Sequence, residues 1–216
     1  MRLRPVPIAL LSLSRAGQVT ACPDLGRCAL LLSVLCMLLW QAMAEAADAR
    51  GSVRAWRDHD AVLVQAQADV DAPIEIAWRV LTDYDHYANF IPDLKSSRVL
   101  ARSGDTAIVE QKGEAGFFLF HFPLEVIFSV TEQPGSSVTS RAISGTFKEM
   151  TGSYVLTERD GGGVRLRYNG RLVPTFQLPP LIGVPALRAA VERQFLALAR
   201  EIRRVALTGR SSGDAQ

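Results

Sequence analysis

Residues 164–205 read VRLRYNGRLVPTFQLPPLIGVPALRAAVERQFLALAREIRRV, and this stretch decides the class of fold. Apolar and polar side chains alternate over residues 164–173, which predicts a β-strand with one buried face. Residues 174–185 are rich in proline and predict a connector. From residue 186 a stripe of apolar side chains recurs at helical spacing, so we expect a long C-terminal helix that buries one side. The stripe consists of Leu187, Val191, Phe195, Leu198, Ile202 and Val205.

The preceding part of the chain predicts further strands of an antiparallel sheet. A long strand begins near residue 50 and runs to residue 70, and two short helices follow it, over about residues 73–84 and 87–94. Further strands are expected over residues 97–102, 107–112, 117–131, 138–143 and 147–157. The connections between them are too short for parallel crossovers, and several carry turn residues, so successive strands should pair as hairpins.

This order of elements predicts an α+β fold. We expect a curved antiparallel sheet of about seven strands wrapped on the long C-terminal helix, with two short helices after strand 1. The helix is the one amphipathic element long enough to cover the concave face of such a sheet. A helix that lies across a cupped sheet leaves space wherever side chains do not fill the gap, and this space suits an apolar ligand.

Composition and charge exclude several classes of protein. The 216 residues are 48% hydrophobic and 21% charged, which is ordinary for a globular chain. All three cysteines precede residue 45, so the body holds no disulfide, thiolate zinc site or cysteine nucleophile. Four arginines and one aspartate also lie in the first 44 residues, and the remaining charges nearly balance. We therefore expect no nucleic acid as a partner.

Residues 1–44 predict a signal peptide. A basic start precedes CALLLSVLCMLLW at residues 28–40, and small residues follow it, with cleavage expected after Ala44 or Ala46. The alternative is a membrane anchor, but the apolar run is shorter than the roughly 20 residues that cross a bilayer. We expect a periplasmic or secreted protein with a folded domain over residues 50–207 and a disordered tail over residues 208–216.

One long segment resembles a known family. Residues 70–92 read VDAPIEIAWRVLTDYDHYANFIP, and SSRV at residues 96–99, GTFK at 145–148 and GSY at 152–154 continue the pattern. Over about residues 60–205 the chain resembles the START-like (SRPBCC) superfamily, nearest to its branch of polyketide cyclase/dehydrase and coenzyme Q-binding proteins. The resemblance implies a helix-grip fold with a hydrophobic cavity, in a superfamily of lipid carriers, quinone binders and some cyclases.

Two polar motifs could suggest other chemistry. Asp83, Asp85, His86 and Asn89 are potential metal ligands, but their spacing lacks the glycine and the final glutamate of a calcium loop, so we interpret them as turn residues. GRSSG at residues 209–213 matches a hydrolase nucleophile pattern, yet it follows the last helix instead of joining a strand to a helix. We expect no catalytic residue, metal or cofactor.

The ligand site is predicted from the Phe-rich run FFLFHFPL at residues 117–124 and from the C-terminal helix. Alternation places Phe118, Phe120, Phe122, Leu124, Val126 and Phe128 on the inner face of one strand. Two interpretations of this run stay open: a strand buried on both sides or at a dimer contact, or a cavity wall or apolar rim that meets lipid. We expect the ligand-binding residues to be Phe90, Phe118, Phe120, Phe122, Tyr154, Leu187 and Val191.

The leading functional hypothesis is an exported, non-catalytic carrier of a small hydrophobic ligand, such as a lipid, a quinone or a polyketide-like molecule, with transient membrane contact. One alternative is an aromatase/cyclase-type enzyme that uses the same cavity. A second is an interaction module with a filled core. A buried histidine or carboxylate facing a void would favour the enzyme, an all-apolar void the carrier, and no void the module.

Overall fold

The fold is described from a computed structural model that covers residues 51–117, 120–175 and 181–213. The side chains of residues 115–122 and 210–213 lie outside this description. The predicted signal peptide and its cleavage sites also lie outside the described residues.

Eight antiparallel strands form one curved, open sheet in the order β1-β2-β8-β7-β6-β5-β4-β3. The strands are β1 Gly51–Asp58, β2 Ala61–Val70, β3 Leu94–Ser103, β4 Thr106–Phe117, β5 Phe120–Gln133, β6 Ser137–Gly145, β7 Phe147–Glu158 and β8 Val164–Pro174. Between β2 and β3 the chain forms helix α1, Ile74–Leu81, and a 3₁₀ helix, Tyr84–Asn89. The long helix α2, Gly183–Gly213, follows β8. The predicted α+β class and its long C-terminal helix are confirmed.

The predicted count of about seven strands was one too low. The expected single strand over residues 50–70 is a hairpin, in which Asp58 of β1 pairs with Ala61 of β2. His59 makes the turn in the left-handed region, with φ 56°. Because histidine tolerates this conformation better than most residues, the reversal needs no glycine or proline, and Asp58 and Asp60 are its turn residues.

The Phe-rich run also spans two strands instead of one. β4 ends at Phe117 and β5 begins at Phe120, and these two residues are partners across the hairpin. The sequence pattern missed this reversal because the run contains none of the usual turn residues at that point.

The core forms where the inner faces of β2 and β8 meet α2. Val62 and Val64 of β2 and Leu166 of β8 are 1%, 1% and 0% exposed, and Phe195 and Ile202 of α2 are 1% and 0% exposed. Each such side chain contributes about 1.5–3 kcal/mol by leaving water. The predicted apolar stripe of the helix is therefore the cover of the sheet, as expected.

The helix boundaries differ from the predicted ones by a few residues. α2 begins at Gly183 because Pro185 lies within its first turn, where a proline needs no backbone donor. The helix includes residues 208–213, which we expected in a disordered tail. Thr208 Oγ1 donates a hydrogen bond to the Arg204 carbonyl, 2.9 Å away, and no proline interrupts these turns. Among the described helices, none is long and apolar enough to cross a membrane.

Candidate functional site

A cavity of about 210 Å³ lies between the inner face of the sheet and α2. Val109 of β4, Phe128 of β5 and Val138 of β6 form an apolar wall. Leu187 and Val191 of α2 lie among the lining residues contributed by the helix. The space therefore lies between the sheet and the C-terminal helix, where the sequence predicted a gap.

All four tyrosines of the chain line this cavity. Tyr84 and Tyr87 lie on the 3₁₀ helix, with ring centroids 5.7 Å apart in an edge-to-face arrangement. The Tyr87 hydroxyl donates a hydrogen bond to the Leu81 carbonyl, 2.6 Å away, and so satisfies a group at the end of α1. The tyrosine hydroxyls are thus polar groups of a mostly apolar wall, together with the side chains of Gln111, Ser140 and Gln194.

Tyr154 and Tyr168 form a pair on the part of the wall made by β7 and β8. They are directly opposite each other in the strand register, and their ring centroids are 4.7 Å apart at an angle of 40°. Tyr168 lies against Gly152 and Gly170, which are also register partners. A Cβ at Gly170 would lie 2.5 Å from the Tyr168 hydroxyl oxygen, so glycine at this position leaves the space for the ring.

Burial makes ionisation of these hydroxyls still less favourable than in a free tyrosine. It raises the pKa of Tyr168 to about 12 and the pKa values of Tyr87 and Tyr154 well above the ordinary value of a tyrosine. Burial and then the Glu132 carboxylate raise the pKa of Tyr84 in the same direction. Each hydroxyl is therefore neutral near pH 7 and acts as a hydrogen-bond donor, with a pKa far from that of an efficient proton shuttle.

The cavity wall reaches solvent at a rim of paired charged side chains. Asp93, immediately before β3, is exposed and forms an ion pair with Arg193 of α2 at 2.8 Å. Glu114 of β4 is paired with Lys95. Both carboxylates contribute to the lining, and the Asp93–Arg193 pair links the helix to the sheet edge at this point. The rim is thus held by exposed ion pairs, which are weak and easily separated.

The polar residues after α1 form local turn contacts. Asp83 Oδ1 lies 2.6 Å from His86 Nδ1, and Asp85 Oδ1 accepts a hydrogen bond from the Val99 backbone N–H at 2.7 Å. These contacts agree with the interpretation as turn residues. No group of three or more histidine, cysteine, aspartate or glutamate side chains in the described part of the chain could hold a metal ion.

Residues 70–199 match the model of a family described as polyketide cyclase/dehydrase and lipid transport, which is more than half of the chain. The chain belongs to this family. The resemblance to START-like proteins that the sequence motifs carried is thereby confirmed. The comparison with curated protein sequences gives no match.

Solved structures share the fold of this family member at low sequence identity. The Zhui aromatase/cyclase from Streptomyces sp. R1128 is 18% identical, with 72% of this chain and 94% of that chain covered and a TM-score of 0.57. A STAR-related lipid transfer protein from Xanthomonas axonopodis is 15% identical, with 71% and 93% covered and a TM-score of 0.58. Human STARD10 is 11% identical, with 70% and 69% covered and a TM-score of 0.56. These similarities show the helix-grip fold.

Three of the seven expected ligand-binding residues of this chain line the cavity: Tyr154, Leu187 and Val191. Leu124, Val126 and Phe128 also line it, as the predicted inner face of β5 requires. Phe118 lies outside the described residues, and the side chains of Phe120 and Phe122 do too.

Phe90 is not among the residues that line the cavity. Its ring packs edge-to-face on Tyr87, with centroids 5.5 Å apart, and contributes to a separate surface depression between α1 and α2. The sequence analysis expected Phe90, in the second short helix, among the ligand-binding residues. The 3₁₀ helix instead turns Tyr84 and Tyr87 toward the cavity, and local periodicity gives no signal for that orientation.

Tyr168 was missed as a site residue although its strand face was predicted correctly. Its position in the alternation of β8 marks it as inward-facing, and an inward tyrosine beside Gly170 is the available signal. The alternation of β8 does not show that Tyr154 of β7 lies directly opposite Tyr168.

Proposed function

We propose that this protein binds and carries a small hydrophobic ligand in the cavity between α2 and the sheet. The observation that supports this most strongly is the cavity itself, because it lies in the core, where a protein with a filled interior would pack side chains. The description of its family and the lipid transfer protein among its structural neighbours agree with the proposal.

The volume indicates the size of the ligand. An engineered protein cavity of about 150 Å³ admits benzene, and pockets for drug-sized molecules begin near 300 Å³. A cavity of about 210 Å³ therefore suits a molecule with one or two rings. A long acyl chain would require the helix or the rim to move outward.

The cavity argues against an interaction module with a filled core. Its space of about 210 Å³ lies against the apolar side chains of the sheet and of α2 and opens to solvent at the rim. A hydrophobic ligand that enters it removes apolar surface from water, which contributes about 25 cal/mol per Å².

The titratable groups of the wall favour binding over aromatase/cyclase chemistry. The carboxylates of Asp93 and Glu114 are engaged in ion pairs at the rim. The tyrosine hydroxyls have pKa values too high for efficient proton transfer near neutral pH. If the protein is an enzyme, a bound substrate should leave with an altered mass. If it is a carrier, the ligand is recovered unchanged.

We also propose that the protein is exported. The basic start, the short apolar run at residues 28–40 and the small residues around Ala44 support a cleaved leader and a periplasmic or secreted location. N-terminal sequencing of the protein from its own host tests this, and an intact Met1 in a cytoplasmic fraction would contradict it.

Transient membrane contact is part of the proposal. Leu181 and Ile182, just before α2, are 88% and 44% exposed, and they lie close in sequence to the cavity residue Leu187. Two exposed aliphatic side chains would enter the interfacial region of a bilayer at low cost. Vesicle flotation should detect wild type, and flotation should fall in a variant with both residues changed to serine. Equal flotation of both proteins would contradict the contact.

Native mass spectrometry of the protein purified from its own host tests the carrier function. We expect a bound small molecule at one per chain. Val191→Trp places a large side chain in the cavity and should abolish the bound species, whereas Leu207→Trp, at a position 52% exposed on the same helix, should retain it. Thermal unfolding shows that both variants are folded. A ligand retained in the Val191→Trp variant would contradict the proposed site.

A further inference from the structure

We propose that Tyr154 and Tyr168 select an uncharged ligand that carries an acceptor oxygen, such as the carbonyl of a ketone or quinone. This inference rests on the cavity function proposed above and specifies the chemical class of its ligand.

The hydroxyls of the two tyrosines are available to a ligand. Neither makes a hydrogen bond to any described residue, although their rings lie deep in the wall. Of the described side chains, only Tyr84 carries a hydroxyl that is fully buried and without a partner. The hydroxyls of Tyr154 and Tyr168 therefore keep accessible surface, and because both residues line the cavity, that surface faces the cavity.

The position of the Tyr168 donor is fixed by the sheet. Gly152 and Gly170 lie beneath its ring, since a Cβ at either position would be 3.1 or 2.5 Å from the hydroxyl oxygen. The Tyr154 ring packs against it from the opposite strand position. A ring held on two sides loses little further rotational freedom when its hydroxyl binds an acceptor, so the hydrogen bond contributes more of its free energy to affinity.

The electrostatic character of the wall selects against anions. The charged side chains among the described lining residues are Asp93 and Glu114, and both are acidic. Asp93 is paired with Arg193 and Glu114 with Lys95, and Glu132, near the Tyr84 hydroxyl, is paired with Arg102. None of the described lining residues is a lysine or an arginine. A carboxylate ligand would therefore lose its hydration without gaining a cationic partner in the wall, whereas a carbonyl accepts a hydrogen bond and carries no charge.

Three probes of nearly equal size separate these contributions: 2-ethylnaphthalene, 2-acetylnaphthalene and 2-naphthoate. Affinities are measured by calorimetry at pH 7 with wild type, Tyr154→Phe and Tyr168→Phe. We expect the ketone to bind wild type at least tenfold more tightly than the carboxylate. Each Tyr→Phe change should weaken ketone binding roughly five- to tenfold, the loss of one hydrogen bond. The hydrocarbon should bind all three proteins within about twofold, which reports an intact cavity.

The outcomes distinguish this inference from the function on which it rests. If the hydrocarbon binds and both Tyr→Phe variants keep wild-type affinity for the ketone, the tyrosine selection is overturned and the carrier function stands. The same holds if the carboxylate binds as tightly as the ketone. If none of the three probes binds wild type, the proposed cavity function is overturned for ligands of this size, and the selection with it.

Discussion

Gly170→Ala should force Tyr168 out of its place on the sheet. The added Cβ would lie 2.5 Å from the hydroxyl oxygen, 2.8 Å from Cζ and 2.9 Å from Cε1 of that ring. Ordinary contacts of this kind are about 3.5–4.0 Å, so the ring must move by about 1 Å. Tyr154 packs on the ring, and the space left for movement is the cavity itself.

The expected destabilisation follows from two opposing contributions. Overpacking a core position costs about 1–3 kcal/mol, and replacing a strand glycine by alanine returns about 0.5–1 kcal/mol. The net loss of about 1–2 kcal/mol corresponds to a fall in melting temperature of about 2–8 °C for a domain of this size. Because the ring moves into the cavity, affinity for 2-ethylnaphthalene should fall as well.

Thermal unfolding by circular dichroism measures the effect. Gly209→Ala is the matched control, since a Cβ there meets no atom within 4 Å, and this helical change should leave stability equal or slightly higher. Combining Gly170→Ala with Tyr168→Phe removes the closest contact and should recover part of the loss. A Gly170→Ala protein as stable as wild type would refute the position assigned to the Tyr168 ring.

Three further predictions concern the helix, the rim and the turn after α1. Phe195→Asp buries a charge at a site 1% exposed and should cost several kcal/mol, so a cooperative transition at the wild-type temperature would contradict the docking of α2. Arg193→Gln removes the exposed ion pair with Asp93, and the free energy of unfolding should change by less than about 1 kcal/mol. Stopped-flow fluorescence should show faster dissociation of the ligand from this variant. An unchanged dissociation rate would exclude a role of the ion pair at the rim. Asp83 raises the pKa of His86, so the stability that this contact adds is present below the ordinary histidine pKa and is lost as pH rises through the raised pKa of His86. In the Asp83→Asn variant, an NMR titration should show a lower pKa for His86. An unchanged pKa would exclude the contact.

The sequence was sufficient for the parts of the fold that carry a long, regular pattern. β8 and α2 were predicted from alternation and helical spacing, and Leu166, Phe195 and Ile202 are buried as those patterns require. Two reversals were missed: the turn at His59, which has Asp58 and Asp60 but no glycine or proline, and the connection after Phe117. Strand-like sequence leads into and out of both reversals, so alternation alone did not separate the strands.

The candidate site was only partly predictable because it depends on contacts between distant segments. Leu187 and Val191 followed from the stripe of α2, and Tyr154 from its strand. The pairing of Tyr154 with Tyr168 depends on the register between β7 and β8, which no local pattern encodes. Tyr87 lines the cavity and Phe90 does not, because of how the 3₁₀ helix packs, and this too is a tertiary property.

A crystal structure of the protein with 2-bromonaphthalene tests the central claim most directly, because the anomalous signal of bromine locates the ligand without assumptions about its orientation. We predict one strong peak in the cavity, between Val191 of α2 and Tyr154 of β7. Bromine found only at the protein surface, with side chains filling the space of about 210 Å³, would contradict the claim that this cavity is a ligand site.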